Sequence, residues 1–422
     1  MKSTALQERR ERTRVLTSVF AANTIRSNSI EYYSHYERII CMKKIISLLM
    51  VAFMAVSMTA CAGKIATAEE DTRPLGEMRG ISAAELIAEM GAGWNLGNTL
   101  DAEGGETAWG NPITTQEMID EVYKAGFNTI RIPTTWDGHM GEAPDYTVDS
   151  EWLDRVEEVV GYALKNNMYV ILNTHHEDNW VKPQYDELDD VKEQLSALWT
   201  QVAERFSDYG DHLIFEGLNE PRIKGGASEW DGGTEEGRDC LNQLNDTFVK
   251  AVRATGGNNE TRTLLISFAA QAAPVGIENL TVPDDKYVGV SIHAYTPYCF
   301  TYEPVGLEYN ALYFDKSCAS EIERLFSNLD ETFISQGIPV IITEYGAVSK
   351  KLDKDQETTN VDEVAKWTSC YVSTAEKYGI PCVWWDNGYY TSGNELFGIF
   401  NRNELSWYTP EIVKAIMDSL PK

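Results

Sequence analysis

Positive charge is scarce in this chain. Its 422 residues hold 36 Lys and Arg against 65 Asp and Glu, a formal net charge of −29. Residues 62–422 alone carry 27 cations against 61 anions. A surface that acidic repels nucleic acid, anionic lipid and polyanionic sugars, but not a neutral ligand. No C-x-x-C occurs among the seven cysteines, so a zinc knuckle or a thioredoxin-type motif has no basis. The five cysteines beyond Cys61 cannot all pair. They read as small buried apolar groups, with Cys299–Cys318 the one pairing considered. No apolar run is long enough for a membrane-spanning helix, which needs about 20 residues. The first strand is not followed by G-x-G-x-x-G, so a dinucleotide-binding open sheet lacks its phosphate turn.

What is present begins with an address. Met42-Lys43-Lys44 precedes a nearly unbroken apolar run, Ile45 to Val56, and then Ser57-Met58-Thr59-Ala60-Cys61. This is the layout of a secretory signal peptide. Small residues before Cys61 point to lipidation there, with ordinary cleavage nearby as the alternative. Residues 1–41 have no periodicity and read as a non-native or disordered extension. Residues 42–61 read as the signal segment, 62–79 as a linker and 80–422 as one folded domain. The expected location is the cell envelope, as a lipoprotein, or outside the cell. The expected membrane contact is the lipid alone.

From Ser82 onward short β-rich runs alternate with amphipathic stretches. The strands are read at Gly93–Leu96, Thr129–Ile132, Tyr169–Asn173, Leu213–Glu216, Leu264–Ser267, Val288–Ser291, Val340–Thr343 and Cys382–Trp385. Helical spacing fills the gaps between them, and Pro410 opens a last helix. Eight strands with crossovers over roughly 340 residues fit an α/β fold closed as one (β/α)8 TIM barrel.

In such a barrel the chemistry collects at the carboxyl ends of the strands. Those ends carry Asn95, Arg131, His175-His176-Glu177 with Trp180, Asn219-Glu220, His293 with Tyr295, Glu344, and Trp385 with Asn387. Glu220 and Glu344 follow strands four and seven, which face each other across a barrel. Hydrolysis of a glycosidic bond requires such a pair. Arg131, His293 and Tyr295 are expected to keep Glu344 ionised, and Glu344 is expected to raise the pKa of Glu220. Asn219 is placed to bind a sugar 2-hydroxyl. His175 is placed beside the catalytic pair and His176 toward a neighbouring sugar. Trp180 and Trp385 are read as stacking platforms, and Asn95 and Asn387 as further substrate contacts. His-His-Glu lacks the spacing of H-E-x-x-H, so no metal and no cofactor is expected. The loop from Tyr295 to Phe314 has five Tyr and two Phe, which fits a sugar groove or a local hydrophobic cluster equally.

Taken in order, these motifs resemble glycoside hydrolase family 5. The carriers are Gly93-Trp94-Asn95-Leu96-Gly97-Asn98, Ile130-Arg131-Ile132-Pro133, His175-His176-Glu177, Leu218-Asn219-Glu220-Pro221, His293-Ala294-Tyr295, Thr343-Glu344-Tyr345-Gly346 and Trp384-Trp385-Asp386-Asn387. The resemblance implies a retaining endo-β-1,4-glucanase of the bacterial branch. Its substrates would be cellulose-type, mixed-linkage or xyloglucan polysaccharides, acted on by a monomer. It makes Glu220 the acid/base and Glu344 the nucleophile, with Arg131, His175, Asn219, His293, Tyr295 and Trp385 completing the site. β-Mannan or xylan with the same machinery stays open at this point, as does a non-catalytic surface glycan-binding lipoprotein.

Overall fold

The computed structural model describes residues 76–421, apart from 270–271, 303–310, 352–358 and 392–394. The signal segment, Cys61 and the 1–41 extension lie outside the described residues. Eight parallel strands close on themselves in chain order, β1 pairing with β2 and with β8. They are β1 (Ala92–Asn95), β2 (Thr129–Ile132), β3 (Tyr169–Asn173), β4 (Leu213–Glu216), β5 (Leu264–Ile266), β6 (Val288–His293), β7 (Val340–Tyr345) and β8 (Cys382–Trp384). Helices α1 (Ala83–Ile87), α2 (Gln116–Lys124), α3 (Ser150–Lys165), α4 (Leu188–Arg205) and α5 (Glu235–Ala254) lie in the first half. Helices α6 (Pro274–Asn279), α7 (Tyr298–Thr301), α8 (Lys316–Thr332), α9 (Val361–Lys377) and α10 (Pro410–Asp418) follow. The two short helices α6 and α7 have too few residues for a 3.6-residue period to register, and the sequence reading passes over them. It also passes over an antiparallel hairpin, β9 (Phe400–Asn401) with β10 (Ser406–Trp407).

Side-chain alternation divides the strands into an outer and an inner face. Outer-facing Trp94, Ile130, Leu172, Phe215, Val290, Ile342 and Trp384 join the helices in one large core. Inner-facing Tyr169, Ile171, Ile214, Leu265, Ile341 and Val383 fill the lower barrel. Helix α1 closes that end with Leu86 and Ile87. Its start is fixed by a capping box in which Ser82 and Glu85 exchange hydrogen bonds, as the Ser-x-x-Glu spacing predicts. The upper inner layer is polar: Asn95, Arg131, Asn173, Glu216 and Ser291 are all buried there. The lower half therefore supplies hydrophobic stability, and the upper half carries groups able to do chemistry.

Strand β7 departs from regular pairing. Ile342 pairs with Ile292, but the next partner of His293 is Glu344, so Thr343 is an extra residue. The register against β8 shifts at the same place. In an unbroken strand Thr343 and Glu344 would point to opposite faces. The extra residue lets both turn inward, Thr343 to the hydroxyl of Ser291 and Glu344 to Arg131.

The five cysteines of the barrel are free thiols, so the Cys299–Cys318 pairing considered from sequence is not formed. Cys240, Cys318 and Cys382 are buried as expected, while Cys299 and Cys370 are half-buried. Among the described residues, no helix is long and apolar enough to cross a membrane.

Candidate active site

Arg131 is the hub of the barrel mouth. It projects inward from β2 and is fully buried. Its Nε donates to Glu216 at 2.6 Å, and its Nη1 donates to Glu344 Oε1 at 2.6 Å and to Asn95 Oδ1 at 3.0 Å. Its Nη2 donates to Asn219 Oδ1 at 2.7 Å. One guanidinium thus fixes groups from β1, β4 and β7 and the segment after β4. Its planar fork serves several acceptors at once, which a lysine's point charge does not match.

Glu344 receives a second donor, the hydroxyl of Tyr295, at 2.9 Å on Oε2. Glu220 Oε1 lies 2.9 Å from His293 Nδ1, and Glu344 Oε2 lies 3.5 Å from the same nitrogen. Arg131 Nη2 is 3.4 Å from His293 Nε2. A guanidinium only donates, so Nε2 of the neutral ring is the acceptor and the ring proton sits on Nδ1, facing both carboxylates. Burial pulls His293 down, but Glu344 and Glu220 outweigh it and hold the imidazole above its ordinary pKa. Carboxylate oxygens of Glu220 and Glu344 and a His293 nitrogen lie within 4.8 Å of one another. Retaining glycosidases need carboxyl groups about 5 Å apart, and inverting ones a wider gap.

The structure corrects the expected raised pKa of Glu220. Burial does push Glu220 up, but the His293 hydrogen bond and the nearby Arg222 and His176 bring it below its ordinary value. Glu344 is held above its ordinary value, because burial outweighs the pull of His293 and Arg131. The two carboxyls differ in what substrate would change. Glu220 is 20% exposed and Glu344 is 7% exposed. Any ligand covering this cleft would remove more water from Glu220 and so raise it, while Glu344 keeps a fixed cation at 2.6 Å.

His175 is buried and held well below its ordinary pKa, first by burial and then by its cationic neighbours, so the ring is neutral. Its Nδ1 accepts from the Asn173 amide at 3.2 Å, which leaves the proton on Nε2. Its plane is parallel to that of Trp385, with centroids 5.7 Å apart. Trp385 is only 8% exposed, backed by Val348 and Phe397. Gly97 lies against its rim, and a β-carbon there would sit 2.8 Å from Cη2. His176 turns the other way, toward Trp109 at 5.5 Å and Asp101 at 3.9 Å. Trp180 is half-buried, and its indole donates to Glu177 at 2.6 Å. Glu177 also accepts from the Trp136 amide, and burial pushes its carboxyl up to about 8.

Two expected substrate contacts are corrected. Asn95 is fully buried, accepts from Arg131, and spends its amide on the carbonyls of Thr343, Val383 and Trp384. Asn387 is buried, donating to the Glu395 carbonyl and accepting from Tyr389. Both are buried and hydrogen-bonded within the protein, and act as braces beneath the mouth. The converse miss is Glu216, the buried partner of Arg131, whose Oε1 accepts from Ser291. Its place at the inner-facing end of β4 was a usable signal, masked by the stronger Asn-Glu-Pro motif three residues on.

Among the described residues, two clusters bring metal-ligating atom types within 4.8 Å: Glu220–His293–Glu344 and Asp101–His175–His176. In the first, Arg131 already places a positive charge against Glu344. In the second, the Asp101 oxygens accept from the Asn98 and Thr99 amides. In the same set His175 Nδ1 accepts from the Asn173 amide. Of the aromatic loop, residues 303–310 are outside the described part. Beside it Phe300 and Phe314 pack together and Phe300 meets Trp367, while Tyr298 and Tyr313 are exposed. That is a local hydrophobic cluster with aromatic groups left facing water.

The profile of the cellulase family, glycosyl hydrolase family 5, matches residues 95–391. Endoglucanase A of Ruminococcus albus is 54% identical over 351 residues, covering 82% of this chain and 94% of that protein. A xyloglucan-specific endo-β-1,4-glucanase from a metagenomic library, solved with cellotriose, is similar at a TM-score of 0.76 and 43% identity. It covers 80% of this chain and 99% of its own. A lichenase from Caldicellulosiruptor sp. F32, solved as a mutant with cellotetraose, is 38% identical with a TM-score of 0.75. That likeness covers 81% of this chain and 96% of the lichenase.

Proposed function

Because this chain belongs to glycosyl hydrolase family 5, the cellulase family, we propose that Glu220 and Glu344 are its catalytic pair. The protein is an endo-acting β-1,4-glucanase that hydrolyses cellulose-type glucan chains. The observation that carries the assignment is the gap between the two carboxylates, within 4.8 Å and with Arg131 fixed on one of them. In the first step the proton on Glu220 passes to the glycosidic oxygen, and the C1–O electron pair leaves with it. An oxygen of Glu344 bonds to C1, giving a glycosyl-enzyme. That bond removes the charge of Glu344, and Glu220 becomes easier to keep ionised. Ionised Glu220 then takes a proton from water, whose oxygen attacks C1 and frees Glu344. His293 and Tyr295 orient the pair, Asn219 meets the 2-hydroxyl, and His175, His176, Trp180 and Trp385 line the sugar path.

Mixed-linkage glucan and xyloglucan are proposed as further substrates, supported by the lichenase and the xyloglucan-specific relative. No observation favours mannan or xylan. A protein that only binds glycan gains nothing from two carboxylates held this close. The proposal extends to export as a monomer lipidated at Cys61, supported by Ser57-Met58-Thr59-Ala60-Cys61. The mass of the N-terminal peptide of the membrane fraction tests it.

Proton NMR during hydrolysis of cellotetraose tests the mechanism. The first products are expected to carry the β-anomer, with the α form arising only by mutarotation. Initial release of the α-anomer would assign an inverting path and remove Glu344 as nucleophile.

Tyr295 gives a pH-dependent expectation. Its hydroxyl donates to Glu344 and so favours the ionised carboxylate. In Tyr295→Phe the pKa of Glu344 rises, and the acidic limb of the kcat/KM profile moves to higher pH. The rate at the optimum is expected to fall about 10- to 100-fold. An acidic limb that stays in place would show that this hydrogen bond does not set the ionisation of Glu344.

A further inference from the structure

The residue after Asn-Glu-Pro has a geometry that the mechanism above does not use. Arg222 Nη1 donates to the main-chain carbonyl of Glu220 at 2.9 Å. The same nitrogen lies 3.7 Å from Glu220 Oε2. Oε1 is the oxygen facing His293, so Oε2 is the one left to carry the transferable proton. Arg222 is itself held from three sides. Its Nε donates to Glu229 at 3.2 Å, its guanidinium lies over the Trp230 ring at 4.7 Å, and Asp178 stands 3.9 Å away. Glu229 in turn accepts from the Gly225 amide at 2.7 Å. The side chain is 14% exposed, so its charge is only partly screened by water.

We propose that Arg222 is a positioning residue for the proton donor: it aims Oε2 of Glu220 at the departing oxygen and stabilises the carboxylate that forms there. This rests on the assignment of Glu220 as the acid. When the proton leaves Oε2, the new negative charge appears 3.7 Å from a guanidinium that Trp230 and Glu229 hold still. The group is arranged before the reaction, so no reorganisation is needed as charge develops. The other charged or titratable groups facing Glu220 are His293 and Glu344 from β6 and β7, Tyr295 after β6 and His176 after β3, with Arg131 of β2 bound to the neighbouring Asn219. Of these, His293 is bonded to Oε1, whereas Arg222 lies against Oε2.

A leaving-group comparison tests this. 2,4-Dinitrophenyl β-cellobioside needs no protonation to depart, whereas phenyl β-cellobioside does. In Arg222→Met, kcat/KM on the phenyl substrate is expected to fall about 10- to 50-fold. On the dinitrophenyl substrate it is expected to fall less than about threefold, which also reports that the site is folded. The basic limb of the phenyl profile is expected to move up by about half to one pH unit, because losing the cation makes Glu220 a weaker acid. Arg222→Lys should restore part of the limb. Equal losses on both substrates with an unmoved basic limb would make Arg222 a loop anchor and overturn the proposal, as would no loss on either. Glu220→Ala is the control. If that variant also shows no preference for the activated substrate, the acid assignment itself fails and takes this proposal with it.

Discussion

Glu344→Ala is expected to lower hydrolysis of soluble β-glucan by on the order of 10^4-fold or more, with polysaccharide binding retained. No other group lies where Glu344 does: its two oxygens take the Arg131 and Tyr295 donors and face the carboxylate of Glu220. Shortening it also leaves Arg131 with Glu216 as its remaining buried anion. The companion change, Glu220→Ala, is expected to spare activated aryl cellobiosides while nearly abolishing turnover of glucan, because only the second needs a proton. Added azide distinguishes the two variants by stereochemistry. In Glu344→Ala, azide can take the place of the missing nucleophile and give an α-glycosyl azide. In Glu220→Ala it attacks the glycosyl-enzyme and gives the β form. Full activity in Glu344→Ala, or the same azide product from both variants, would break the division of roles.

Arg131→Met is expected to be the most destabilising single change in the barrel. Arg131 and Glu216 are both fully buried and Glu344 nearly so. Taking away the cation leaves two carboxylates in low dielectric with no counter-charge. Breaking a buried pair in this way costs about 3–5 kcal/mol. The measurement is the urea midpoint, with the slope monitored to confirm that the same surface unfolds. Activity should fall in the same variant, since Glu344 loses a donor and Asn95 and Asn219 lose their common anchor. Arg131→Lys keeps the charge without the fork, and is expected to recover more stability than rate. An unfolding free energy within about 0.5 kcal/mol of the parent would mean that Glu216 and Glu344 take up protons at little cost.

The strands were legible because both of their faces are buried. Val170 to Leu172 and Ile341 to Ile342 read as short apolar runs whichever way they point, and parallel barrels make such runs. The carboxyl-end motifs followed directly, since each sits within a few residues of a strand whose limits were clear. Direction was harder to read. Asn95 and Trp385 are both polar-edge positions near strand ends, yet one is locked under the mouth and the other lies beside His175. That difference comes from contacts with Thr343 and Val383, some 250–290 residues away, which no local pattern encodes. The ionisation of Glu220 was misjudged for the same reason. The reading weighed the opposed carboxylate and missed the His293 proton and the Arg222 charge that reach the same group.

The extra residue in β7 has a consequence for anyone redesigning this scaffold. Deleting Thr343 to tidy the hydrogen-bond ladder would restore simple alternation, with Ile342 outward, Glu344 inward and Tyr345 outward against Trp367 and Tyr371. What would go is the Thr343 hydroxyl on Ser291 and the Thr343 carbonyl that holds the amide of Asn95, itself an acceptor for Arg131. The irregular residue therefore braces the cation beside Glu344, so a smoother ladder would be gained at the cost of that support.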